Sequence, residues 1–246
     1  IKIESALSPT HQTTVGTFLM TSSIRQNHKG TNMSRFTELL HEYSTGHAFP
    51  VSMDKLKGFM KKLTEKLEQQ DVTISVTFPW FFERKGPASG LAGMNHANAT
   101  IEGTYHVTEG YTFYVTLEGA ITTLCPCSKD ISEYSAHNQR GNVSIRTLLN
   151  EAYNAATSDW KADLLEAAES NASARIHPVL KRPDEKMVTE QAYENPRFVE
   201  DIVRLVAADL YEMDYVDQFK VTCQNEESIH LHDAFASITY DKRNEQ

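Results

Sequence analysis

The side chains best equipped for chemistry lie in the stretch LCPCSKDISEYSAHNQRG, Leu124 to Gly141, where two of the chain's three cysteines flank one proline and a histidine follows. Cys125 and Cys127 stand too close for an ordinary structural disulfide, whose Cα geometry is hard to reach across a single stiff proline. Metal binding, redox chemistry and nucleophilic catalysis remain. A catalytic zinc site uses three protein ligands and keeps a further position open for water or substrate, and thiolate and imidazole are both suitable donors. From the spacing alone, Cys125 and His137 suit metal ligation, a catalytic thiol or an inert turn. The remaining cysteine, Cys223, lies in an alternating apolar run and reads as a core thiol, which excludes a structural site of four cysteines from one chain.

Other polar clusters have comparable potential. ESIHLHDA carries His230 and His232 beside Glu227 and Asp233. In an extended chain the two imidazoles face the same side and suit proton transfer or ligation; the alternative is a pair of surface histidines at a strand start. Lys181 and Arg182 of LKRPDEK, and Lys29 and Arg35 of KGTNMSRF, suit phosphate, against the plainer reading of exposed loop charge. Glu200 could simply pair with Arg204 one helical turn on.

These residues need a scaffold. Residues 72 to 78 alternate as a strand with one buried face, and two longer runs follow. Ile101, Gly103, Tyr105 and Val107 form one face of the first; Tyr111, Phe113, Val115 and Leu117 form one face of the second, with Glu109-Gly110 at the turn of an antiparallel hairpin. Phe219, Val221 and Cys223, then Ala234, Ala236, Ile238 and Tyr240, give another strand pair, and the segment from Thr13 to Ile24 supplies a further strand. Ser52 is placed to cap a helix whose Leu56, Phe59, Met60, Leu63 and Leu67 form an apolar stripe. Helices are also expected over 35–43 and 159–170. In ENPRFVEDIVRLVAADLYEM, Asn195 is read as the cap, Pro196 as the first helical residue, and Phe198, Ile202, Leu205 and Val206 as the buried stripe. NHKGTNMSRF and ARIHPVLKRPDEKMVTEQAYEN are read as loops, too polar and proline-punctuated for regular elements.

The chain has 246 residues, 40% hydrophobic and 23% charged, an ordinary globular composition for one large domain or two fused modules. A net charge of -9 opposes binding to a nucleic acid polymer but permits a single nucleotide, because exposed charges beyond about 10 Å are largely screened. No GxxxxGK[ST] loop is present to hold one in P-loop fashion. No apolar run approaches the roughly 18 residues of a membrane span, and IKIESALSPT lacks the apolar centre of a signal peptide. With an odd cysteine count, the expectation is a cytoplasmic protein with no membrane partner.

The four strings LCPCSKDISEYSAHNQRG, LKRPDEKMVTEQAYENPRFVED, ESIHLHDA and KGTNMSRF, in that family's order and spread over nearly the whole chain, resemble GTP cyclohydrolase I of type B, the metal-dependent bacterial form. The resemblance implies an α+β fold of tandem tunneling-fold (T-fold) modules, antiparallel sheets with helix pairs packed on one face, here divided as 1–122 and 123–246. It implies a homotetramer with active sites where subunits meet, GTP as substrate, and no organic cofactor. The implied product is 7,8-dihydroneopterin triphosphate, with loss of formate, at the start of pterin and folate synthesis. Cys125, His137 and Glu185 are the implied metal ligands, and the donor set is compatible with zinc, manganese or ferrous iron. Cys127, His230 and Glu227 are the implied catalytic residues. Glu200 is implied to anchor the guanine ring, with Lys29, Arg35, Lys181 and Arg182 toward the phosphates. Asn32 stands where the family has a histidine and Gly141 where it has a serine, departures expected to touch substrate contacts. Two other readings compete: a T-fold nitrile reductase with a cysteine nucleophile, and a binding module with a structural metal.

Overall fold

In the computed structural model, which describes residues 1–24, 26 and 29–245, helices cover one face of a long antiparallel sheet. Asn27 and His28, at the start of the first expected loop, lie outside the described residues. The strands are β1 (Lys2–Glu4), β2 (His11–Thr13), β3 (Thr17–Thr21), β4 (Asp71–Lys85), β5 (Ala92–His106), β6 (Gly110–Leu124), β7 (Asn138–Leu149), β8 (Val216–Glu226) and β9 (Ala234–Asp241). The helices are α1 (Ser34–Ser44), α2 (Met53–Leu67), α3 (Pro126–Ile131), α4 (Trp160–Ser170), α5 (Arg182–Glu194) and α6 (Val199–Glu212). β1 pairs with β2, and β3 to β9 form a seven-stranded sheet in chain order.

Period-two patterning explains the two faces. Val76, Ile101, Val115, Thr147, Phe219 and Tyr240 are cross-strand partners in one row on the helix-covered side. The next row, Thr77, Thr100, Thr116, Arg146, Lys220 and Thr239, is polar and points away. On that polar face the Thr77 and Thr100 hydroxyls meet at 2.9 Å, and Arg146 donates to Glu102 at 2.9 Å while lying 3.7 Å from the Tyr114 ring centre. The other face buries Trp80, Phe78, Leu117 and Ile145 almost completely, each contributing about 1.5–3 kcal/mol. Cys223 is wholly buried there, and burial pushes its thiol up to about 12, as suits a core side chain.

The expected hairpin forms with the expected faces, Ile101 opposite Val115 and Tyr105 opposite Tyr111, but its turn is Val107–Glu109, and Gly110 opens β6. Val107 instead lies exposed in the turn. α2 buries Leu56, Phe59, Met60, Leu63 and Leu67, and Ser52 caps it by accepting the Lys55 N–H at 3.3 Å. The division expected after residue 122 falls near the C-terminal end of β6, and the sheet runs through it without a break. Among the described residues no helix is long and apolar enough to cross a membrane.

Two expectations near α5 and α6 need correction. Residues 182–194 are helical: Pro183 sits in the first turn, where its missing N–H costs nothing, and the Asp184 carboxylate accepts the Lys181 N–H at 2.8 Å. Asn195 therefore ends α5 and does not cap α6, which begins at Val199 with the Asp201 carboxylate accepting the Phe198 N–H at 3.0 Å. That later start rotates the buried stripe to Val199, Ile202, Val203, Val206 and Leu210, leaving Phe198 and Leu205 exposed.

Candidate active site

At the end of β6 the chain turns into α3, with Cys125 at the helix cap and Pro126 in the first turn. The Cys125 thiol accepts the Ser128 N–H at 3.5 Å. Ser128 then ties the loop together: its hydroxyl donates to the Cys125 carbonyl at 3.2 Å and accepts the His137 N–H at 3.2 Å. The Cys125 N–H donates to the His137 carbonyl at 3.1 Å, closing the loop where β7 begins. Cys125 and His137 are thus neighbours through their backbones, both partly buried, while Cys127 is exposed on α3.

The β8–β9 connection reaches the same place. Ser228 Oγ lies 3.0 Å from His137 Nδ1. When Nδ1 carries the proton and donates to that oxygen, the lone pair on Nε2 is free for a ligand. Glu227 precedes Ser228, and His230 and His232 follow with rings stacked at 5.1 Å. The two imidazoles share a side as expected, although they sit in a bend between strands and not in a strand.

α6 starts beside this loop, because the Arg197 N–H donates to the Leu124 carbonyl at 3.0 Å. Glu200 is exposed in its first turn, and Arg204 pairs with Asp201 at 3.6 Å, so the simple i, i+4 pairing expected for Glu200 is not the one formed. Glu185 is exposed in the first turn of α5, next to Lys181 and Arg182. Its neighbour Asp184 is buried; burial works to raise its pKa, but N–H bonds from Ser89, Lys181 and Ala88 outweigh it and hold the carboxyl well below the usual range. The nearby His177 is pushed down by burial, against a hydrogen bond to the Lys85 carbonyl at 2.9 Å.

Antiparallel order fixes which residues share an end of the sheet. The C-terminal ends of β4, β6 and β8 lie with the N-terminal ends of β5, β7 and β9. Cys125, Cys127, His137, Glu227 and His230 gather at that end, with Glu200 beside them through Arg197 and the α5 start beside the β4–β5 turn. Arg35 belongs to the opposite end, where it donates to the Lys66 carbonyl at 2.5 Å, close to the start of β4, and Lys29 is exposed in the segment leading to α1. Among the described residues no three of His, Cys, Asp and Glu converge tightly enough to hold a metal ion. Cys125 and His137 adjoin; Glu185 stands apart from them.

The two departures differ in place. Gly141 faces the core: a Cβ there would lie 2.6 Å from Asn225 Oδ1 and 3.0 Å from Ile121 Cγ1, so glycine accommodates the buried Asn225. Asn32 is exposed ahead of α1, its carbonyl accepting the Arg35 N–H at 2.9 Å. Sequence reasoning did not single out Ser128, Ser228 or Asp184. Ser128, three residues after a half-in Cys125, carries a capping-type signal; nothing in the spacing marks Ser228.

A sheet continuous in chain order, helices on one face, and a thiol and imidazole held together at one end define an α+β tunneling-fold protein. Solved structures of uricase share this fold: that from Arthrobacter globiformis superposes with a TM-score of 0.54 at 11% identity, covering 98% of this chain and 90% of its own. The uricase from Bacillus fastidious gives 0.53 at 10% identity over 89% of this chain and 76% of its own. The chain belongs to the family described as type I GTP cyclohydrolase FolE2, whose profile matches residues 1–236. It is 65% identical to GTP cyclohydrolase FolE2 of Oceanobacillus iheyensis over 243 residues, 99% of this chain and 80% of that protein. The FolE2 protein of Bacillus subtilis strain 168 is 53% identical over 242 residues, 98% of this chain and 79% of its own.

Proposed function

We infer that the chain is a GTP cyclohydrolase I: it converts GTP and water to 7,8-dihydroneopterin triphosphate and formate. Similarity to the FolE2 proteins over nearly the whole of this chain carries this reading, and the joined Cys125–His137 loop supports it from the chemistry side. The residues fit a divalent cation in two respects. Cys125 offers sulfur and His137, with Nδ1 facing Ser228, offers Nε2, a donor pair suited to zinc, manganese or ferrous iron. Glu185 is the proposed third ligand, completing the set when the metal binds. When bound, such an ion supplies Lewis acidity that makes water a competent nucleophile near neutral pH.

The protein's own groups do the rest. Glu200 accepts the N–H donors of the guanine ring and so orients the imidazole ring that opens. His230, Glu227 and Cys127 hold and deliver protons to the ring nitrogens as formate leaves. Lys181 and Arg182 neutralise phosphate from the same end of the sheet. Arg35 lies at the other end, with Lys29 in the segment leading to its helix, which supports a site completed between subunits of a homotetramer. Glu200→Gln tests the assignment of roles. Losing a charged acceptor for buried N–H groups costs about 1.5–3 kcal/mol, so kcat/KM for GTP should fall roughly 10- to 100-fold with metal content unchanged. Metal loss from that variant, with normal kinetics in the loaded fraction, contradicts it.

A further inference from the structure

Asp184 is wholly buried between exposed Pro183 and exposed Glu185. Its carboxylate spans two elements. Oδ1 accepts the N–H groups of Ala88 at 2.7 Å and Ser89 at 2.8 Å, both in the β4–β5 turn, and Oδ2 accepts the N–H of Lys181 at 2.8 Å, at the start of α5. The turn lies directly on the carboxylate: a Cβ added to Gly86 would stand 2.9 Å from Asp184 Cγ and Oδ1. The chain entering α5 is anchored alongside, with Asn95 Nδ2 donating to the Ile176 carbonyl at 2.9 Å. A helix needs only the Lys181 bond as a cap; the two bonds to a turn nearly a hundred residues away do something more.

We propose that Asp184 is a positioning residue of the active site, fixing the first turn of α5 to the β4–β5 turn so that Glu185, Lys181 and Arg182 are presented in one place. The proposal rests on the reading of Glu185 as a metal ligand. Lys181 is tied by its own N–H, and Glu185 follows Asp184 in the same turn, so movement of the carboxylate moves all three. An asparagine at 184 keeps one acceptor oxygen and replaces the other with an NH2 donor, so it cannot accept from both Lys181 and the β4–β5 turn. Gly86→Ala displaces the same contact from the opposite side with no change of charge.

The test is the zinc dissociation constant, by competition with a chromophoric chelator, of the full chain and of its Asp184→Asn, Gly86→Ala and Glu185→Gln variants, together with amide exchange at Ala88, Ser89 and Lys181. Exchange at Ala88 and Ser89 should quicken in both Asp184→Asn and Gly86→Ala, and both should bind zinc about 10- to 100-fold more weakly, the range typical when the support of a ligand is removed. Far-UV circular dichroism should be unchanged. Wild-type zinc affinity in Asp184→Asn and Gly86→Ala, beside loss in Glu185→Gln, overturns the positioning role and leaves the ligand reading intact. Wild-type affinity in Glu185→Gln overturns the ligand reading, and the positioning claim with it. If Asp184→Asn does not fold, Gly86→Ala alone decides by the same two readouts.

Discussion

Cys125 and Cys127 are separated by one residue and have different surroundings. Cys125 caps α3, accepts a backbone N–H and is bonded through its backbone to His137; Cys127 is exposed one residue into the helix. Pro126 fixes its own φ and keeps Cys125 extended, at φ -68° and ψ 118°, so the two thiols cannot readily turn onto one small ion. Cys125→Ala should therefore lose both metal and activity, whereas Cys127→Ala should keep its metal stoichiometry and lose turnover. Metal analysis by mass spectrometry beside formate release decides; equal metal loss in both would make Cys127 a permanent ligand. At this scale the sequence singled out Cys125 and His137 for their donor types; that they adjoin comes from β6 and β7 pairing on either side of the loop, and β7 was not read from the sequence. It gave no sign of Ser228, whose hydroxyl acts through loop proximity and leaves no periodic trace; Ser128 carried only a capping-type signal.

The elements show where patterning is legible and where it fails. Alternation located β4, the β5–β6 hairpin and the β8–β9 pair, because one face of each is buried, or in β9 partly buried against the core, and a one-residue slip would expose it. α5 was hidden: only Asp184 and Ala192 are buried, so it carries almost no apolar stripe, and its proline reads as a breaker until its first-turn position is known. α6 was found but set too early, since Asn195-Pro196 imitates a helix start and the real cap comes from Asp201. Between α4 and the sheet, Glu169 is buried and pairs with Arg84, with Arg175 at 3.7 Å. Glu169→Ala would leave the Arg84 charge, already lacking a partner at Nε, uncompensated in the interior. The expected loss is about 3–5 kcal/mol in denaturant unfolding at neutral pH; a loss below 1 kcal/mol would show that water reaches the pair.

At the scale of the molecule, the sheet separates the expected site residues. One end carries Cys125, His137, Glu200, Glu227, His230 and the α5 start, and the other carries Arg35, with Lys29 in the segment that leads to it. The proposed homotetramer would bring both groups to one triphosphate and would also cover the open edges of β3 and β9. Cys125→Ala and Lys29→Glu subunits, each inactive alone, should therefore regain part of the activity when unfolded together and refolded as a mixture. Sedimentation of a fully active monomer would contradict the shared site. The sequence could suggest this arrangement only through family resemblance, since no local pattern encodes which end of a sheet a loop will reach. The central claim, metal-dependent hydrolysis of GTP at the Cys125–His137 end, is tested most directly by formate release from GTP. The protein should be purified without oxygen and assayed before chelation, after it, and after a divalent cation is restored. Formate release should vanish on chelation while far-UV circular dichroism is unchanged, and return with the metal; full turnover by verified metal-free protein would contradict the account.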